Sequence, residues 1–177
     1  MIRWLLIALA FLVAVATAAV IAGALLPREH RATSRITLRQ SPEAIWLVIS
    51  DQAGVAGWWP EISSSERLPD SPEGRVRVQQ AAKGGGTMIL EIEEAVPPTR
   101  LETLIVTGPG APFGGTWTYQ LAPADSGTTL TITEDGWVAN PIFRVVMRVM
   151  GPYQTLDSYL GALARRFGES TAPVHVD

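Results

Sequence analysis

The chain has 177 residues, room for one domain plus an appendage, and its 14 Lys and Arg against 17 Asp and Glu give a net charge of −3. That balance leaves no basic stripe to neutralise phosphates and argues against a dedicated nucleic-acid binder. The absence of cysteine excludes disulfides, thiolate catalysis and thiolate-held metals. The two histidines, His30 and His175, flank the soluble part, so the sequence places neither in a folded pocket. A histidine triad or a multi-histidine metal site is accordingly not expected.

Residues 4–26 (WLLIALAFLVAVATAAVIAGALL) carry no charge and are long enough to cross a hydrocarbon core of ~30 Å as a helix. Two readings stand for this run: an uncleaved membrane anchor, or a signal peptide cut at Ala14-Val15-Ala16 or Ala22-Gly23-Ala24. Arg28, Arg31, Arg35 and Arg39 outnumber Arg3, which favours a cytoplasmic domain. A short basic N-terminus is also typical of anchors that export the domain C-terminal to them, so the side of the membrane stays open. The expected organisation is an anchor at 1–27, a folded domain at 28–170 and a flexible tail at 171–177.

Residues 31–40 alternate as a strand around Ile36 and Leu38. Ser41 then reads as an N-cap, with Pro42 at the first helical position of a helix carrying Ile45, Trp46, Val48 and Ile49. A second short helix and a Trp58-Trp59-Pro60 loop come next. Strands are expected at 62–68, 75–80, 87–95, 100–107, 115–121 and 128–135, separated by turns rich in Gly and Pro. Hairpin-length links between them argue for one antiparallel sheet. From Pro141, apolar residues recur at spacings of three and four through Phe167, as in a long amphipathic helix that Gly151-Pro152 should kink or break. A sheet with one such helix must wrap it to bury a face of each.

This order resembles the START-like (SRPBCC) superfamily and, within it, the polyketide cyclase/dehydrase branch. The carriers are the opening strand followed by Ser41-Pro42-Glu43-Ala44-Ile45-Trp46, the Asp51…Trp58-Trp59-Pro60 segment and the C-terminal helix, together covering roughly residues 30–168. The resemblance implies an α+β helix-grip fold, a curved antiparallel sheet around a long C-terminal α-helix, here preceded by one transmembrane helix. It also implies an apolar cavity for lipids, sterols or polyketides, and only some members are enzymes.

Alternation assigns Val78, Met88, Leu90, Ile92, Leu104, Val106, Trp117, Tyr119 and Ile132 to the inward face. Val149, Tyr153 and Leu156 face them from the helix. With the loop that carries Trp58 and Trp59, and with Phe113 and Trp137, closing the mouth end, these form the expected wall of a hydrophobic ligand site. Trp59, held by Pro60, is assigned to the core and Trp58, beside Gly57, to the mouth, where the 108–115 loop (GPGAPFGG) would meet it. The carboxylates Glu91, Glu93, Glu94, Glu134 and Asp135 lie within or beside strands, and Glu91 is expected to point to solvent. No catalytic constellation, metal or cofactor emerges. The expected partners are a hydrophobic small molecule (lipid, quinone or polyketide-like) and the membrane through residues 4–26. A cyclase-like enzyme or an interaction domain with a closed core are the alternatives.

Overall fold

The computed structural model describes residues 2–176. In chain order it contains α1 (Ile2–Leu25), β1 (Glu29–Leu38), α2 (Pro42–Ile49), a 3-10 turn (Val55–Gly57), β2 (Ile62–Leu68) and β3 (Arg77–Ala82). β4 (Thr87–Val96), β5 (Arg100–Val106), β6 (Phe113–Ala124) and β7 (Gly127–Val138) come after them. α3 (Pro141–Met150), α4 (Gln154–Arg166) and β8 (Val174–His175) complete the chain. The expected second short helix is only the 3-10 turn.

The strands form one curved eight-stranded sheet in the order β2-β3-β4-β5-β6-β7-β1-β8, with each pairing antiparallel. Hairpins generate the β2–β7 meander, as short turns require. β1 joins the far side of β7, running in register from Glu29↔Trp137 to Leu38↔Thr128. This is the α+β helix-grip architecture that the sequence suggests.

The core lies between the concave face, α2 and α4. Ser41 caps α2 by accepting from the Ala44 N–H at 3.3 Å, and the helix turns Ile45 and Ile49 inward. Ile36, Leu38, Leu101, Leu130 and Ile132 from the sheet meet Leu156, Leu160 and Leu163 of α4, all fully buried. Each such side chain contributes about 1.5–3 kcal/mol of burial.

The C-terminal helical pattern is broken in two. Gly151 has φ 89°, outside the helical region, and Pro152 has no N–H to continue the ladder. α4 grips the sheet. α3 turns away and packs against the end of α1. Gly23 permits that contact, because a Cβ there would come within 2.0 Å of the Pro141 carbonyl oxygen. Arg144 locks it: its buried guanidinium donates to the carbonyls of Gly23 (2.9 Å), Leu26 (3.0 Å) and Ala139 (2.8 Å). The last carbonyls of α1, orphaned by the helix end, thereby gain donors. α1 itself is long and apolar enough to cross a membrane, and its most apolar stretch has no residue buried in the protein.

The segment expected to be a flexible tail ends instead as β8, paired to β1 through Ser34↔His175 and Arg35↔Val174. The His175 ring stacks on Tyr153 at 3.8 Å, and its Nε2 lies 2.9 Å from Asp157 Oδ2. His175 therefore belongs to the folded structure, contrary to the expectation from its place near the chain end.

Candidate ligand cavity

Between the concave sheet and the two C-terminal helices lies a cavity of about 500 Å³. That volume falls within the range of small-molecule sites, roughly 300–1,000 Å³. Its wall is mainly apolar: Met88 and Leu90 of β4, Ile105 of β5, Trp117 of β6 and Trp137 and Val138 of β7. α3 adds Phe143, Val146, Met147 and Met150. The exposed rim consists of Pro112 and Phe113 on one side and Phe143, Val146 and Met150 on the other. The β5–β6 loop and α3 are thus the two lips.

The deep end is polar and aromatic. Tyr159 of α4 is the hub of an aromatic cluster, meeting Trp58, Trp59, Trp117 and Tyr119 at ring centroid distances of 5.0, 5.1, 5.4 and 5.8 Å. Such geometries add about 0.5–1.5 kcal/mol per pair beyond burial. Trp59 donates its indole N–H to Ser158 Oγ at 3.1 Å, which fixes the ring. Beside the cluster, Gln80 Nε2 donates to the Gln52 carbonyl at 3.3 Å, and Gln52 Nε2 donates to the Ile49 carbonyl at 2.7 Å.

Burial holds the Tyr119 phenol above its ordinary pKa, an effect that contacts with Tyr159, Thr103 and Gln52 partly offset. Tyr159 is also raised, chiefly by burial and then by the neighbouring Tyr119. Both stay neutral donors at physiological pH. The Tyr159 hydroxyl is buried and has no hydrogen-bond partner of good geometry among the described residues. An unpartnered buried hydroxyl costs about 1–3 kcal/mol, and a ligand carbonyl or hydroxyl in the cavity would relieve it.

Of the residues assigned to the site from sequence, Trp59, Met88, Leu90, Phe113, Trp117, Tyr119 and Trp137 line this cavity. Trp58 does not: it is half-buried, edge-on to Tyr159. Val78 is buried off the wall, while Ile92, Ile132 and Leu156 pack in the core. Val149 is exposed on α3, and Tyr153 stacks on His175 in the turn before α4.

On β5 the assignment is inverted. Leu101 pairs with Tyr119 and Thr103 with Trp117, so Leu101, Thr103 and Ile105 share the inward face, and Leu104 and Val106 lie on the outer one. The run Leu104-Ile105-Val106 is apolar on both faces and hides the parity. Glu91 is buried on that outer face rather than solvated, 2.8 Å from Arg75 Nη1.

Gln52, Gln80, Thr103 and the α3 residues lie outside the sequence-based assignment. Strict alternation from Val78 reaches Gln80, but its polarity counts against an inward position. His30 corrects the reading of the histidines. β1 begins only a few residues after α1, so His30 takes an inward position and lines the cavity. Its ring lies over Gly136, where a Cβ would come within 2.5 Å of it, and its Nε2 is 3.4 Å from Glu134 Oε1.

The sheet, the gripping helix and the intervening cavity define a START-like, helix-grip domain. Residues 29–168 match the family described as polyketide cyclase/dehydrase and lipid transport, and the chain belongs to that family. No curated protein matches it. Among solved structures, a START superfamily protein from Mycobacterium smegmatis is similar at 22% identity and TM-score 0.65, covering 77% of this chain and 96% of that one. A conserved protein from Geobacillus kaustophilus aligns at 18% identity and TM-score 0.63, over 82% of this chain and 100% of that one. The di-domain ARO/CYC protein BexL from the BE-7585A biosynthetic pathway aligns at 16% identity and TM-score 0.61, over 82% of this chain and 52% of its own length. At these identities the likeness concerns the fold.

Proposed function

We propose that the protein is a membrane-tethered module that binds a hydrophobic small molecule, such as a lipid, quinone or polyketide-like compound, in the cavity between sheet and C-terminal helices. The observation that carries this reading is the double role of α3. One helix both forms a lip of the cavity and receives the last turn of α1. With α1 in a bilayer, the cavity mouth stands at the membrane surface. The apolar side chains that α3 leaves exposed, Ile142, Phe143, Val146, Val149 and Met150, then have lipid to cover them. The tether keeps the domain beside a reservoir of apolar ligand and raises its effective concentration there.

The test is native mass spectrometry of the full chain released from mild detergent, followed by titration with a fluorescent fatty acid. The expected result is a co-purified apolar species or saturable uptake. Failure of both overturns the reading.

A cyclase-like reaction is the second reading, favoured by the His30–Glu134 pair and the neutral phenols of Tyr119 and Tyr159 around one cavity. Imidazole and carboxylate in contact have the chemistry of a proton-transfer pair. His30→Gln that binds ligand normally and turns over a polyketone substrate at the wild-type rate would remove that support.

A further inference from the structure

A second hollow of about 290 Å³ adjoins the first at the end of α1. The two share His30, Val138, Met147 and Pro152 as wall, so they lie back to back across one thin partition. Their chemistry differs sharply. The larger is apolar and aromatic, whereas four arginines line the smaller: Arg28, Arg31, Arg144 and Arg148. Glu29 is the one carboxylate in its wall.

Elsewhere in the domain five arginines pair with carboxylates, as in Arg39–Glu169, Arg67–Asp70, Arg75–Glu91, Arg77–Glu91 and Arg100–Glu94, and those without an ion pair among the described residues, Arg35, Arg165 and Arg166, are exposed and line neither hollow. In the hollow the matching fails. Arg31 meets Asp135 at 3.3 Å in an exposed pair, but Arg28 and Arg148 have no ion-pair partner among the described residues. Arg144 is 8% exposed, spends its terminal nitrogens on backbone carbonyls and keeps a buried Nε with no partner. A chain of net charge −3 thus concentrates unmatched positive charge in one concave place. Guanidinium groups are the side chains best suited to phosphate and carboxylate oxygens.

From this geometry we infer that the ligand is an anion-headed amphiphile. Its phosphate or carboxylate sits in the arginine hollow, and its chain passes the His30–Met147 partition into the apolar cavity. The inference rests on the ligand-binding reading above and names the ligand class for it. The position fits, because the hollow begins at Leu26 and Pro27, where a spanning α1 reaches the headgroup layer.

The experiment is displacement of a fluorescent fatty acid from the full chain in non-ionic detergent. The competitors are oleoyl lysophosphatidate, oleate, oleyl alcohol and inorganic phosphate, repeated with the R28Q/R148Q double variant. The expected result is that the two anionic competitors act at about tenfold lower concentration than the alcohol, a preference that 0.5 M salt reduces. In the variant that preference falls below about threefold while the alcohol is unaffected. Comparison of lysophosphatidate with oleate identifies the headgroup. Equal displacement by alcohol and anions, or an unchanged preference in the variant, overturns the inference and leaves the arginines as flanks of the anchor. Inorganic phosphate acting as well as lysophosphatidate overturns the continuous site. Displacement by none of the competitors overturns the parent reading as well.

Discussion

α3 and α4 come from one stretch of helical periodicity, yet they solve opposite problems. α4 buries Leu156, Tyr159, Leu160 and Leu163 almost completely and holds the sheet closed. α3 is as apolar on one side but leaves Val149 81% and Phe143 57% exposed, and the residue it buries is an arginine. The break at Gly151-Pro152 is what permits the difference, because it frees α3 to follow the end of α1 rather than the sheet. Amphipathicity states that a helix has an apolar face; tertiary context decides whether that face meets a core or is left exposed.

The sharpest way to break this contrast is a matched pair of truncations. Leu160→Ala in α4 should cost about 2–5 kcal/mol in denaturant unfolding, while Val149→Ala in α3 should stay within about 0.5 kcal/mol. Equal losses would make α3 part of the same core. Next in size is Arg144→Ala, which removes three hydrogen bonds to α1 and the loop before α3 and should cost about 2–3 kcal/mol locally. Hydrogen exchange should accelerate in the last turn of α1 and the first turn of α3 and stay unchanged in α4. Acceleration throughout would mean that the two helices unfold as one unit.

The smallest effect concerns the phenols. Tyr119 and Tyr159 are neutral in the folded chain well above pH 10, their ordinary pKa, whereas the unfolded chain ionises them near it. The stability they contribute is therefore intact below pH 10 and declines as pH rises beyond it. Tyr159→Phe also deletes an unpartnered hydroxyl. It should be neutral or stabilising by about 1 kcal/mol at pH 7 and should flatten the alkaline decline of melting temperature. A steeper decline in that variant would place the buried charge cost elsewhere.

The fold was legible because its signals are local and repeated: Ser41-Pro42 at a helix start, turn residues between alternating runs, and spacings of three and four after Pro141. Parity was legible where polar and apolar residues truly alternate, as at Trp117 and Tyr119. It failed on β5, where Leu104-Ile105-Val106 is apolar throughout and register comes only from the partner strand. Polar residues facing a cavity defeat the rule in a second way, since the polarity of Gln80 and Thr103 counts against the inward positions they occupy. The placement of His30 depended on β1 starting only a few residues after α1. Arg144 as a clamp on α1 is a contact across more than a hundred residues, and periodicity carries no information about it.

Residues 26–28 are all that separate α1 from β1. Fully extended they reach about 10 Å, and Arg144 shortens even that by holding Leu26 to α3. A long, loose link would let the domain swing freely about α1, and this chain has a short, fastened one. If α1 spans a bilayer as proposed, this link holds the cavity at a constant height and bearing above that leaflet. On that proposal, ligand would reach the cavity by lateral diffusion in the leaflet, and anything passed onward would go to a partner at that same surface.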